Sequence, residues 1–131
     1  MIITPIQIRF NDLDPMRRVN NASYAAYLEL ARMDFCNRYF PIDSLEDTPF
    51  VLVRVEMDIQ NSLGPNEKAE VRTIVSRIGH SSWEFYAEIV NPESNKIYAR
   101  AKTTQVYFDY RENTKKVIPE SFRKILETEM Q

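Results

Sequence analysis

The chain has 131 residues, 44% of them apolar and 27% charged, which fits one ordinary globular domain over residues 1–131 and excludes a disordered chain. Lys plus Arg number 17 against 19 Asp plus Glu, a net charge of −2 without the positive excess that phosphate backbones require, so no nucleic-acid partner is expected. Cys36 is the only cysteine and His80 the only histidine, which excludes an intrachain disulfide and a Cys- or His-rich metal cluster.

The first residues carry no basic stretch leading into an apolar core, so no signal peptide is expected. No apolar run approaches the ~20 residues of a membrane span, and a cytoplasmic protein is the expectation. Residues 2–10 alternate in part (Ile6, Ile8 and Phe10 against Gln7 and Arg9) and predict a strand. A polar loop with Asp12 and Asp14 follows. It leads into the longest helix the sequence offers, residues 22–39, free of Gly and Pro and capped by Asn20 or Asn21. Tyr24, Tyr27, Leu28, Ala31 and Phe35 form its apolar stripe, with Glu29 and Arg32 off that stripe and spaced for an ion pair. Pro41 ends it.

Beyond the loop 41–49, residues 50–61 alternate so that Val51, Val53, Val55, Met57 and Ile59 share one face. A turn at 63–66 leads to a strand over 70–78, a break at Gly79-His80-Ser81, and a strand over 83–90. The turn 91–95 precedes a long strand over 97–109, in which Ala99 and Ala101 leave room for bulky neighbours. A short helix begins near Pro119, with Ile125 and Leu126 as its expected contacts. Connections this short permit only antiparallel pairing. The last four strands are therefore expected as a meander, curved around the long helix in an α+β domain.

Chemistry concentrates where the acidic loop meets the helix. The first turn of a helix presents unpaired N–H groups and partial positive charge, a ready site for an oxyanion. Asp14 stands seven residues before Asn21, within reach of a turn that would bring its carboxylate to those donors.

The run Arg9-Phe10-Asn11-Asp12-Leu13-Asp14-Pro15-Met16, then Val19-Asn20-Asn21-Ala22-Ser23-Tyr24, then Tyr27-Leu28-Glu29-Leu30-Ala31-Arg32, resembles the hotdog-fold acyl-CoA thioesterases of the 4-hydroxybenzoyl-CoA thioesterase type. The likeness continues in Ile78-Gly79-His80-Ser81-Ser82-Trp83-Glu84-Phe85 and reaches Val106-Tyr107-Phe108-Asp109 and Lys116-Val117-Ile118-Pro119. It implies a hotdog fold, with a curved five-stranded antiparallel sheet wrapped around one long central helix. It also implies a homodimer or homotetramer whose sheets join edge to edge, with active sites at the subunit interface. By the same resemblance Asp14 is the catalytic carboxylate, and the backbone N–H of Asn21 or Ala22 polarises the thioester carbonyl. The implied substrate is an acyl-CoA, with no metal and no cofactor beyond the coenzyme A of that substrate. Asn20, Tyr24, Arg18, Arg77, His80, Ser81 and Ser82 are the expected substrate contacts, and Glu29 is the second choice of acid. The chain departs from the family pattern at one place: Arg17-Arg18 stands where Gly-His is common, at a position where a turn can require glycine. Two other readings stay open: a thioesterase for acyl carrier protein, whose acidic surface the two arginines would meet, and a hotdog domain that binds acyl-CoA without hydrolysis.

Overall fold

The computed structural model describes residues 1–130. The element order is β1 (Ile2–Ile6), α1 (Asn21–Tyr39), β2 (Phe50–Ile59), β3 (Ala69–Ile78), β4 (Ser82–Val90), β5 (Ile97–Asp109), β6 (Thr114–Lys115) and α2 (Glu120–Thr128), with 3-10 turns at Phe10–Asp12 and Leu45–Asp47. All pairings are antiparallel.

The strand order is β1-β3-β4-β5-β2, with the two-residue β6 beside β5. This corrects two expectations. The sheet has six strands, and the meander runs from β3 through β4 and β5 into the two-residue β6, leaving β2 out. β2 pairs with β5 rather than with β3, its neighbour in sequence. The loop over residues 60–68 is long enough to leave the β2 edge, so a turn signal at Gly64-Pro65 does not make a hairpin.

The alternation along β2 is also revised. A bulge between Leu52 and Arg54 sets Val53 outside the ladder, so Phe50 and Leu52 share a face with Val55, Met57 and Ile59. One extra residue reverses which side chains point inward. That inward face is the one on which Thr103, Ala101 and Ala99 of β5 lie, all three buried. Yet Val55 is 48% exposed and Ile59 40%, because β2 is an edge strand that the helix does not cover.

α1 begins where the cap predicts: the Asn20 side-chain oxygen accepts from the Ser23 amide at 3.0 Å. Its stripe packs in two clusters. Toward the N-terminus Tyr24, Tyr27, Leu28 and Ala31 meet Val71, Ile89, Tyr98 and Ala99. Toward the C-terminus Phe35 and Cys36 meet Trp83, Phe85, Phe122 and Leu126. α2 is anchored by Phe122 and Leu126, both buried, with Ile125 only partly so. The convex face of the sheet is polar and laced by the pairs Arg72–Glu70 and Arg100–Glu88. No helix among the described residues is long and apolar enough to cross a membrane.

Candidate active site

The acidic loop is built almost entirely from hydrogen bonds. Leu13 and Val19 form an isolated antiparallel bridge, and the Asp14 amide donates to the Arg18 carbonyl at 2.8 Å. The Arg17 amide returns to the Asp14 carbonyl at 2.9 Å, closing a tight turn. Arg17 takes φ of 62°, the left-handed region that glycine favours, at the position where the resemblance expects a glycine.

The two acids have different work. One oxygen of Asp12, Oδ2, accepts from the Arg9 amide at 2.8 Å and from the Tyr27 hydroxyl at 2.8 Å. The Asp12 carbonyl accepts from the Asn20 amide and from the Ser23 hydroxyl. Asp12 therefore ties the loop to α1, and burial, then the Asp12 carboxylate, push the Tyr27 hydroxyl well above its ordinary pKa. Asp14 uses only Oδ1, which accepts from Met16 at 2.9 Å and from Arg18 at 3.2 Å. Its Oδ2 meets no donor among the described residues. A half-buried carboxylate is thus held by one oxygen and free at the other.

The helix that follows leaves two donors open. Ser23 N is satisfied by the cap, whereas the Asn21 and Ala22 amides meet no acceptor among the described residues, as the geometry of a first helical turn dictates. Both residues are exposed. The carboxylate and the two amides are separated by the bridge strand Arg18–Asn20, whose own amides are all engaged, by Asp14, Leu63 and Asp12 respectively.

The other predicted contacts divide sharply. Asn20 serves as the cap. Tyr24 is 1% exposed, and its hydroxyl accepts from the Leu63 amide at 3.1 Å, which places it beneath the loop in the core. The Arg18 guanidinium turns to the loop 60–68, donating to Ser62 Oγ at 3.1 Å and to the Ser62 carbonyl at 2.6 Å. A Cβ on Gly64 would come within 2.7 Å of that guanidinium, so the arginine lies flat against the loop. Arg77, His80, Ser81 and Ser82 lie at the β3–β4 turn, at the other end of the molecule. There the Ile118 amide donates to the His80 carbonyl and the Tyr107 amide to that of Ser81. Within one chain these four do not join Asp14.

The expected Glu29–Arg32 ion pair is absent among the described residues, and Arg32 is buried at 8% exposure rather than lying off the stripe. It lines a cleft of about 340 Å³ between α1 and β2, walled by Ala25, Ala26, Leu28, Glu29, Leu52 and Val55. Sequence reasoning passes over this cleft. Its signal is the pair of small residues Ala25 and Ala26 one turn after Ala22, with Glu29 on the same face. No group of three or more His, Cys, Asp or Glu among the described residues is arranged to hold a metal.

Comparison with known proteins agrees with this architecture. A protein of Bacillus stearothermophilus described as a predicted thioesterase superposes with a TM-score of 0.89 at 24% identity, covering 98% of this chain and 96% of that one. A thioesterase of Thermus thermophilus, solved with coenzyme A and Zn, gives a TM-score of 0.86 at 26% identity, covering 98% and 92%. A 1,4-dihydroxy-2-naphthoyl-CoA thioesterase from Synechocystis gives 0.81 at 18% identity, covering 95% and 93%. No curated protein matches the sequence. The sequence profile of the thioesterase-like superfamily matches residues 8–126, nearly the whole domain, and the chain belongs to that superfamily.

Proposed function

We propose that this protein hydrolyses acyl-CoA thioesters to a carboxylic acid and coenzyme A, in the cytoplasm, with Asp14 as the catalytic carboxylate. The observation that carries the reading is the free Oδ2 of Asp14 on the same short loop that ends in the two free amides of Asn21 and Ala22. The membership of the superfamily and the coenzyme A bound by the Thermus thermophilus relative support the substrate class. The motif likeness to the 4-hydroxybenzoyl-CoA type supports the assignment of Asp14.

In this mechanism the thioester carbonyl oxygen rests at the amide end of α1, where the donors and the helix dipole favour negative charge. Asp14 takes a proton from a water molecule as the water oxygen bonds to the carbonyl carbon. The tetrahedral intermediate collapses, the C–S bond breaks, and the coenzyme A thiolate leaves with the proton that Asp14 held. Direct attack by Asp14, followed by hydrolysis of the resulting anhydride, uses the same groups. General-base help of about 10²–10⁴-fold and an oxyanion donor of about 10²–10³-fold are ample for a reactive thioester.

The active form in this proposal is a homodimer, joined along β2. β2 has a free edge, and Val53 (57% exposed) and Val55 (48%) are apolar and open there. A free apolar edge invites pairing. A twofold axis through β2 pairs it antiparallel with its copy. The partner's β3–β4 turn then lies at the same end as this chain's acidic loop, which gives Arg77, His80, Ser81 and Ser82 a place beside the coenzyme A arm.

The test is thiol release from a panel of acyl-CoAs by wild type and Asp14→Ala, with sedimentation of wild type and Val55→Asp. Turnover lost in Asp14→Ala and a dimer weakened in Val55→Asp support the proposal. Tight binding of acyl-CoA without turnover by wild type would instead make this an acyl-CoA-binding domain. Full activity in Asp14→Ala would move the chemistry to another acid, Glu29 first.

A further inference from the structure

Arg32 is the one cation of α1 drawn into the interior, 8% exposed on a 19-residue helix. None of its guanidinium N–H groups meets an acceptor among the described residues, and no carboxylate lies within ion-pairing distance. Burial lowers its pKa, against the weaker pull of the Glu29 carboxylate. Among the described residues only Thr73 Oγ1 and Trp83 Nε1 are fully buried polar side-chain atoms without a partner, so the Arg32 nitrogens keep some contact with solvent and stay open to an anion. A guanidinium accommodates a carboxylate with two parallel hydrogen bonds.

The cavities around it decide where an anion can enter. Toward the sheet, Arg32 faces Thr73 and Thr103 across a void of about 10 Å³, near the limit for one water and too small for a ligand. Toward β2, it closes the cleft of about 340 Å³. The walls contributed by Ala25, Ala26, Leu28, Leu52 and Val55 are apolar. Ala25 is one helical turn beyond Ala22, and Arg32 is about 15 Å along the axis from Ala22. A helical side chain leans back toward the N-terminus, which shortens that reach. The cleft thus starts at Ala25, one helical turn beyond the free Ala22 amide, and follows an apolar wall to the Arg32 cation.

We infer that Arg32 reads the far end of the acyl group, and that the preferred substrates are thioesters whose acyl chain carries a distal carboxylate. This rests on the thioesterase reading above for the position of the reacting carbonyl. The methylenes lie against Leu28, Leu52 and Val55, and the distal carboxylate completes the hydrogen bonding of the guanidinium. Glu29, on the same wall, disfavours a carboxylate that stops short of Arg32, so the chain must be long enough to pass it.

The experiment compares adipoyl-CoA with hexanoyl-CoA, and suberoyl-CoA with octanoyl-CoA, on the full chain. Both kcat/KM and calorimetric affinity are measured for wild type, Arg32→Met and Arg32→Lys. In wild type the carboxylated member of a pair should be favoured by at least about tenfold, the worth of a charge-assisted hydrogen bond. The preference should fall to near unity in Arg32→Met and be partly kept in Arg32→Lys. Equal affinity for both members in wild type overturns the inference without any variant having to fold. So does a preference that survives Arg32→Met, or an Arg32→Met protein that turns monomeric while wild type shows no preference, since Arg32 would then meet the second copy. The affinity arm separates this from the function itself. With no turnover of any acyl-CoA but a tenfold binding preference, the anion site stands and the hydrolase reading fails.

Discussion

The two ends of α1 are built on different principles. At its N-terminus the chain is held by directional bonds: the Asn20 cap, the Asp12–Tyr27 clamp, the Asp14 turn and the Arg18–Ser62 contacts. At its C-terminus rings do the work, with Phe35, Phe40, Trp83 and Tyr107 all within 6.3 Å of Phe122, centroid to centroid. Hydrogen bonds fix atoms to a few tenths of an ångström but contribute modestly to stability, whereas aromatic burial contributes much and specifies less. The difference teaches that directional precision is concentrated at the end with a half-free carboxylate and free amides, and the packed rings at the opposite end, while apolar burial serves both.

That contrast is open to attack at both ends. The largest expected effect is on rate: Asp14→Ala should reduce thioester turnover about 10²–10⁴-fold while circular dichroism shows a folded protein. Phe122→Ala should do the opposite, costing about 3–5 kcal/mol of stability in denaturant melts by leaving a void among four rings. If Phe122→Ala were as harmless to stability as a loop change, the division between the ends would be gone. Tyr27→Phe removes one donor from Asp12 and should cost about 1–2 kcal/mol. The pH dependence follows from the same hydroxyl. Its pKa is raised on folding, so its contribution is complete below the ordinary tyrosine value near ~10 and is lost as pH rises beyond it. Thermal melts of wild type should decline more steeply above that pH than those of Tyr27→Phe. Smallest is Arg17→Gly, which relieves a left-handed arginine and should gain at most about 1 kcal/mol.

Much of this is legible in the residues. Asn20 before an uninterrupted run without Gly or Pro marks the start of α1, and β2 to β5 lie close to where alternation puts them. β1 instead stops at Ile6, and residues 7–10 of the expected strand belong to the loop and its 3-10 turn. What is not legible has identifiable causes. Turn residues say that a chain reverses, not which strand it will pair with, so the residues alone set β2 beside β3 instead of β5. A one-residue bulge at Val53 leaves no mark in composition, yet it reverses the inward and outward faces in half of β2. Arg32 sits at the margin of the apolar stripe, where a long charged side chain normally reaches water. Only the structure shows that it lies along the gap between α1 and β2, 8% exposed. The site residues at the β3–β4 turn can be named from their motif but not placed, because their relation to Asp14 is not contained in one chain.

The strand order carries a consequence for how the molecule assembles. β1 and β2 flank α1 in sequence but occupy opposite margins of the sheet. Neither has its partner until β3, β4 and β5 exist, and those three are joined by short reversals whose closure entropy is low. The second half of the polypeptide should therefore zip first and serve as the template onto which the first half folds. During synthesis the earliest-made segment waits for the latest, and pulse-labelled amide exchange should find β3 to β5 protected before α1.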